Sequence, residues 1–192
     1  MGVILLTGGG CDSPDLRAAS ATPGHVVDSA LPRDEMVRRF TEGLPRTDSL
    51  SGGAESQDQL VAAFVRALAA ADTAALQRMA VNRSEFAYLY YPTSPRARPP
   101  YDLEPGLMWF LQVQQSDRGL TLALRRFGGS PMDLVGYDCG KDASHEGDNI
   151  VYGPCTVRWR RQQGDTVAAR LFTQILERDG RFKFLSYANQ LD

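Results

Sequence analysis

Residues 155–192 decide the fold, and they read CTVRWRRQQGDTVAARLFTQILERDGRFKFLSYANQLD. Apolar and polar side chains alternate along segments 156–161, 166–178 and 181–187, which is the period of a β-strand. Gln163-Gly164-Asp165 and Asp179-Gly180 separate the segments, and Asp-Gly between alternating segments is a strong hairpin signal. The stretch therefore predicts three consecutive antiparallel strands in one sheet.

Turn lengths set the expected register of these strands. We expect a two-residue turn at Asp179-Gly180 and a three-residue turn at Gly164. The pairs that then face each other on the apolar side are Ile175 with Phe184, Trp159 with Ala169, and Val157 with Leu171. Because one face of the sheet is apolar, helices should cover it.

The first half of the chain supplies helices for this purpose. Residues 56–59, Ser-Gln-Asp-Gln, form a capping box and predict a helix from Ser56 to about Ala71. Asp72 is expected to cap a second helix through Met79. The apolar stripe of the first helix consists of Leu60, Val61, Phe64, Val65 and Leu68, at spacings of three and four residues.

Two further helices are expected before the sheet. Pro105 suits a first helical turn, and the residues after it are apolar nearly all round, which predicts burial on more than one side. Ser116 is expected to cap another helix, which would end at Gly128.

These elements predict an α+β fold, with N-terminal helices packed on a curved antiparallel sheet of about four or more strands formed by the C-terminal half. Residues 132–139 would supply the fourth strand. We expect a single domain over 56–192. Residues 12–55 have the composition of a flexible tether, with a short helix near 34–42, and residues 1–11 are interpreted as the remnant of a signal peptide.

The N-terminus resembles the end of a bacterial lipoprotein signal peptide. It reads MGVILLTGGGCDSPD, a short apolar run and small residues followed by a cysteine. The resemblance implies lipidation of Cys11 and a place in the bacterial cell envelope, periplasmic or surface-exposed. The apolar run is shorter than the usual 7 to 15 residues or so. Either residues precede Met1, or the likeness is accidental and Cys11 is a free thiol.

Cys139 and Cys155 remain as an even pair, which suits a disulfide in an exported protein. If the strands at 132–139 and 150–155 are neighbours, the two sulfurs come within bonding range. A metal site is the alternative, but it would need more ligands than these cysteines and His145 provide.

Composition narrows the classes of partner. The 192 residues include 43% hydrophobic residues and carry a formal net charge of −2, which gives no reason to expect a nucleic-acid surface. No stretch approaches the roughly 18 apolar residues of a membrane span. No cofactor is expected, since no phosphate-binding loop or metal-ligand motif is present in the sequence.

Two stretches carry a resemblance to a known family. They are LVAAFVRALAAADTAALQRMA at 60–80 and VAARLFTQILERDGRFKFLSYAN at 167–189. Together they resemble the nuclear-transport-factor-two-like family, also called cystatin-like or polyketide-cyclase-like. The resemblance implies a cone-shaped sheet that encloses an apolar pocket. Members include isomerases, dehydratases, cyclases and non-catalytic binding domains, so the fold alone leaves the function open.

Catalytic members of that family place an aspartate or a His–Asp pair inside the cone. This chain offers Thr173, Ser186 and Glu177 there, none of which resembles an activated base. We therefore expect an envelope lipoprotein with a non-catalytic binding or accessory domain for a small apolar ligand or an envelope protein. The alternative is a small isomerase- or hydrolase-type enzyme. Candidate pocket or rim residues are Tyr88, Tyr91, Trp109, Trp159, Thr173 and Ser186. For the tyrosines we favour the alternative that they pack their loop onto the core, with their hydroxyls at the rim.

The opposite face of the predicted sheet is basic. It carries Arg158, Arg160, Arg170 and Lys183, and the expected register sets Arg158 opposite Arg170. Like charges in opposite positions are unfavourable. They would be compensated either by water, salt and neighbouring carboxylates, or by an anionic partner.

Overall fold

The computed structural model describes residues 31–191, which fold as an α+β protein, with helices in the first half and antiparallel strands in the second. The predicted fold class is confirmed. The helices are α1 (Arg33–Thr41), α2 (Gln57–Ala69), α3 (Thr73–Met79), α4 (Arg83–Glu85) and α5 (Pro105–Phe127), with a π-helical turn at Phe86–Tyr90 and a 3₁₀ turn at Pro95–Ala97. In this part of the chain no helix is both long and apolar enough to cross a bilayer.

The predicted helical hairpin is formed by α2 and α3. The Ser56 side chain accepts a hydrogen bond from the Gln59 amide at 3.1 Å, and the Asp72 side chain accepts one from the Ala75 amide at 2.9 Å. Each helix therefore begins after a residue whose side chain satisfies an otherwise free amide. The predicted apolar stripe of α2 is buried along its whole length: Leu60, Val61, Phe64, Val65 and Leu68.

The helix α5 is a single element of 23 residues, where two helices were predicted. Ser116 does not cap a new helix, because its hydroxyl accepts a hydrogen bond from the Tyr187 amide at 3.0 Å. The prediction that the first half is buried on several sides is also wrong. Leu107 and Phe110 are 47% and 58% exposed, whereas Met108 between them is buried.

The strands form two sheets rather than the predicted single one. The first sheet has the order β1-β4-β5, and the second has the order β2-β3-β6-β7. All neighbouring strands are antiparallel. The strands are β1 (Asp133–Asp138), β2 (Ser144–Glu146), β3 (Asn149–Tyr152), β4 (Thr156–Arg160), β5 (Thr166–Ala169), β6 (Gln174–Arg178) and β7 (Arg181–Ser186).

The predicted strand over 166–178 divides between the two sheets. Leu171 and Phe172 lie in the break and are both fully buried. Across this break the partner strands change, from β4 on one side to β3 and β7 on the other. The chain therefore leaves the first sheet after β5 and enters the second at β6.

One expected register is confirmed and the other is wrong. Ile175 lies opposite Phe184, across the two-residue Asp179-Gly180 turn, as predicted. Between β4 and β5, however, Trp159 lies opposite Val167 and Val157 opposite Ala169. The turn here spans residues 161–165 instead of three residues. It is closed by a hydrogen bond from the Arg161 amide to the Asp165 carbonyl at 3.0 Å and by an ion pair of their side chains.

The disulfide between Cys139 and Cys155 is confirmed. It forms because β1 pairs with β4, so that Asp138 lies opposite Thr156, next to both cysteines. The predicted pairing of 132–139 with 150–155 is wrong, since β3 pairs with β2 and β6 instead. In a chain-entropy model, closing a loop of this length stabilises the fold by about 3 kcal/mol.

Two apolar clusters form the core. One lies between α2 and the sheets, and the other surrounds the π-helical turn and the start of α5. Phe40 and Leu50 are buried in the second cluster, so residues 31–55, which were predicted to be tether, pack with the rest of the described chain. The short helix predicted near 34–42 is α1. Cys11, the signal-peptide remnant and residues 12–30 lie outside the described residues.

The close approach of α5 to the end of β7 gives the first testable prediction. A Cβ atom at Gly119 would lie 1.9 Å from the Tyr187 carbonyl oxygen, so Gly119→Ala should lower the free energy of unfolding by about 3 kcal/mol or more. Gly106→Ala in the same helix is the matched control, because its nearest neighbour is Phe40 at 4.0 Å. The control should be neutral or stabilising by up to about 1 kcal/mol. Urea unfolding measures both, and equal effects would contradict the close contact.

Candidate functional site

The space between α2 and the sheets is filled by aromatic rings. The Phe64 ring lies 5.4 Å from the Phe172 ring, 5.2 Å from the Phe184 ring and 5.6 Å from the Tyr187 ring, and all four side chains are fully buried. The Tyr187 hydroxyl donates a hydrogen bond to the Leu76 carbonyl at 2.6 Å. Burial raises the pKa of Tyr187, so its hydroxyl stays protonated and serves packing.

Two of the predicted pocket residues, Trp159 and Tyr91, are core residues. Trp159 is 1% exposed and packs edge-on against Phe127 at 5.0 Å. Tyr91 is 2% exposed, and its hydroxyl donates to the Leu103 carbonyl at 2.9 Å. Their side chains hold elements together and do not line an opening.

Tyr88 and Trp109 are half-buried and pack at the edge of the second cluster. The Arg46 guanidinium lies 6.0 Å from the centre of the Tyr88 ring, and the Trp109 ring lies 5.1 Å from that of Phe86. These contacts agree with the expectation that the aromatic residues of this region pack their loop onto the core.

Thr173 and Ser186 are brought together as predicted, in a cleft of about 120 Å³ beside α5. Their polar atoms are already used by the backbone. The Thr173 hydroxyl donates to the Ala188 carbonyl, and the Ser186 hydroxyl accepts from the Ala188 amide at 3.0 Å. Met108 and Leu185 supply apolar walls. The cleft is small, and both hydroxyls make hydrogen bonds to the backbone of Ala188.

Glu177, named at the hairpin end, accepts a hydrogen bond from the Tyr152 hydroxyl. Burial, together with this bond to a carboxylate, raises the pKa of Tyr152 to about 12. The phenol therefore remains a donor at neutral pH, and the pair links β3 to β6 across the sheet.

Sequence reasoning missed the most buried ionic contact of the described residues. Lys183 and Glu85 are 2% and 1% exposed, and the Lys183 ammonium lies 2.9 and 3.0 Å from the two Glu85 carboxylate oxygens. The prediction that Lys183 belongs to an exposed basic face is therefore wrong. Lys183 lies on the face of β7 opposite to that of Phe184, as predicted, but this face is covered by the second apolar cluster. The long side chain therefore reaches a buried carboxylate from a distant part of the chain.

The remaining bonding capacity of this ion pair is also used. The Ser51 amide and hydroxyl each donate to the Glu85 carboxylate at 2.8 Å, the Asn82 amide donates to it at 2.9 Å, and Lys183 also donates to the Ser51 carbonyl at 3.1 Å. A fully bonded pair of this kind has no free position for a reacting group. The signal in the sequence was the Asn-Arg-Ser-Glu capping box at 82–85.

A groove of about 820 Å³ opens beside the ion pair. It lies between the α2–α3 hairpin and the segment around Ser51, and Lys183 forms part of its base. The volume falls within the range of small-molecule sites. Its apolar wall consists of Ala54, Leu60, Ala63, Ala75, Met79 and Ala80, and its polar groups come from Ser51, Gln77, Arg78 and Asn82.

The predicted anion-binding arginines are not paired as expected. Arg158 lies opposite Ala168, not Arg170, because of the corrected register. Arg160 makes an ion pair with Asp133 at 3.5 Å. Arg170 follows the end of β5 and donates to the Gln190 side chain at 3.1 Å. The like-charge opposition that motivated an anionic partner is therefore absent at this position of the sheet.

A second carboxyl group that the sequence did not single out is Glu146 in β2. It is 9% exposed, and one of its oxygens is buried without a hydrogen-bond partner. Burial raises its pKa, against a hydrogen bond from Ser144 and the charge of Arg96. Among residues 31–191, no group of three His, Cys, Asp or Glu side chains is arranged to hold a metal ion.

Comparison of the chain with protein-family models, with curated proteins and with solved structures gave no significant match. The resemblance to the nuclear-transport-factor-two-like family therefore stays a prediction from the two sequence stretches that suggested it. The functional interpretation depends on the geometry described above.

The buried ion pair leads to the second prediction. Lys183→Met should lower the free energy of unfolding by about 3–5 kcal/mol, because it leaves the Glu85 charge buried and unpaired. Adding Glu85→Gln should recover part of this loss, since the amide has no charge and its oxygen still accepts hydrogen bonds. The control is Arg181→Met in the same strand, which removes an exposed ion pair with Glu55 and should cost less than about 1 kcal/mol. Similar losses for both single variants would contradict a special role for the buried pair.

Proposed function

We propose that this protein is a lipid-anchored accessory domain of the bacterial cell envelope that binds an apolar ligand or a partner protein rather than transforming a substrate. The observation that carries the proposal is the combination of a filled interior and an open groove. The rings of Phe64, Phe172, Phe184 and Tyr187 fill the space between α2 and the sheets, where the family resemblance predicted a pocket, and the groove lies outside it.

The bonding of the polar groups supports a binding role over a catalytic one. The Glu85 carboxylate beside the groove is fully hydrogen-bonded and neutralised by Lys183. A general base needs a free position within reach of the proton that it removes. At this site the ion pair instead fixes the position of Lys183 in the lining of the groove, and a binding surface requires such fixed side chains.

The disulfide supports the envelope location. Cys139–Cys155 joins the loop after β1 to the start of β4, and such bonds persist in oxidising compartments outside the cytoplasm. Cys11 is the remaining cysteine of the chain, at the position that the lipoprotein resemblance assigns to the anchor.

The groove can be tested with anilinonaphthalenesulfonate, a fluorescent apolar anion. Its affinity should fall at least about tenfold in Ala63→Trp, because the indole would fill the groove. Ala70→Trp is the matched control, since Ala70 is exposed at the end of α2 outside the groove. Fluorescence titration measures both. Equal dye affinity in the two variants, or no binding to the parent protein, would remove the groove from the proposal.

The anchor is tested in bacterial cells. The protein expressed with a complete lipoprotein signal sequence should partition with membranes, and Cys11→Ala should release it into the soluble fraction, because a lipidated cysteine requires the thiol. Intact-mass measurement of the membrane-bound protein should show the added acyl groups. An unmodified Cys11, or membrane partition that survives the substitution, would refute the anchor.

A further inference from the structure

An exposed apolar surface lies at the beginning of α5, outside the groove and next to the cleft, whose lining includes Leu111. The side chains of Tyr101, Leu107, Phe110 and Leu111, which we call the α5 patch, are 66%, 47%, 58% and 37% exposed. Leu107, Phe110 and Leu111 are spaced by three and four residues, so they share one face of the helix. Further along α5 this face becomes polar: Gln114, Gln115 and Arg118.

The α5 patch adjoins the point where residues 1–30 join the folded domain. The Arg33 guanidinium lies 3.9 Å from the Asp102 carboxylate and 5.7 Å from the centre of the Tyr91 ring. The Tyr91 hydroxyl in turn donates a hydrogen bond to the carbonyl of Leu103, which lies just before α5. Leu31, the first described residue, is itself 39% exposed. The chain therefore enters the domain at the end that carries the patch.

The short sequence separation from Cys11 favours a membrane as the occupant. Leu31 follows Cys11 by 20 residues, so even a fully extended chain between them could not exceed about 70 Å. An anchor at Cys11 would hold this end of the domain close to the bilayer surface. Exposed tyrosine, phenylalanine and leucine are side chains that partition into the membrane interface.

We propose that the α5 patch docks on the bilayer surface, with Tyr101, Leu107, Phe110 and Leu111 inserted at the level of the lipid headgroups. The choice of occupant rests on the proposed anchor. The loop before α5 carries Asp102 and Glu104 as well as Arg98, so its charges give no reason for attraction to anionic lipid. The contact with the bilayer therefore depends on the burial of apolar side chains. Docking of this face holds the domain in one orientation on the membrane.

The experiment attaches the full chain, with its disulfide intact, to phosphatidylcholine vesicles through Cys11 and a maleimide-headgroup lipid. The chemical tether replaces the native anchor and raises the effective concentration of the patch at the bilayer. The reporter is Phe110→Trp, and half of the vesicle samples contain lipids with brominated acyl chains, which quench tryptophan on contact. Quenching is measured relative to the parent protein, which has Trp109 and Trp159 as background.

The matched control is Val135→Trp. Val135 is 50% exposed in β1, which follows the other end of α5, about 33 Å from the patch end for a helix of 23 residues. Quenching should be severalfold stronger for Phe110→Trp than for Val135→Trp. Adding Leu107→Glu to Phe110→Trp should reduce it to the control level, and adding phosphatidylserine or salt should leave it unchanged.

Equal quenching at the two positions, or quenching that Leu107→Glu does not reduce, would overturn the proposal. A concentration-dependent dimer in sedimentation that Leu107→Glu abolishes, without quenching by vesicles, would also overturn it and assign the patch to a second copy of the chain. These outcomes are independent of native lipidation, because the tether is chemical. The native anchor is tested separately, by measuring whether Cys11→Ala releases the protein from membranes in cells.

Discussion

The buried contact between Glu85 and Lys183 joins three parts of the chain that are far apart in sequence: the segment at Ser51, the short helix α4, and β7. A buried charge without its partner is costly, so none of these parts can move away without the others. The same contact fixes the base of the groove. The proposed binding surface of the protein therefore depends on an ion pair whose hydrogen-bonding capacity is fully used.

The packing of the aromatic rings closes the space between α2 and the sheets. Phe64, Phe172 and Phe184 fill this space, where the sequence resemblance predicted a pocket. Filling stabilises the fold through apolar burial. The proposed binding surfaces, which are the groove and the α5 patch, therefore lie outside this space, and the function has to be argued from such sites rather than from the fold class.

Local patterns account for what was predicted correctly. The Ser56 and Asp72 caps, the Asp179-Gly180 hairpin and the α+β order of the elements depend on neighbours within a few residues. The errors arose where a distant residue competes with the local signal. Ser116 resembles a helix cap but bonds to the Tyr187 amide. Among the candidate site residues, Thr173 and Ser186 line a common cleft, as the sequence suggested. The cysteine pair, which lies elsewhere in the fold, was also anticipated.

The sequence by itself determined the helices α1 to α3, the hairpin of β6 and β7, and the disulfide partners, because capping, turn chemistry and an even cysteine pair are local or countable properties. The tertiary structure alone decided the division into two sheets, the partner of Lys183 and the exposure of Leu107 and Phe110. Alternation and apolar content predict whether a side chain prefers to be buried or exposed. Which face of a helix or strand is covered depends on elements that are distant in sequence and meet only when the chain folds.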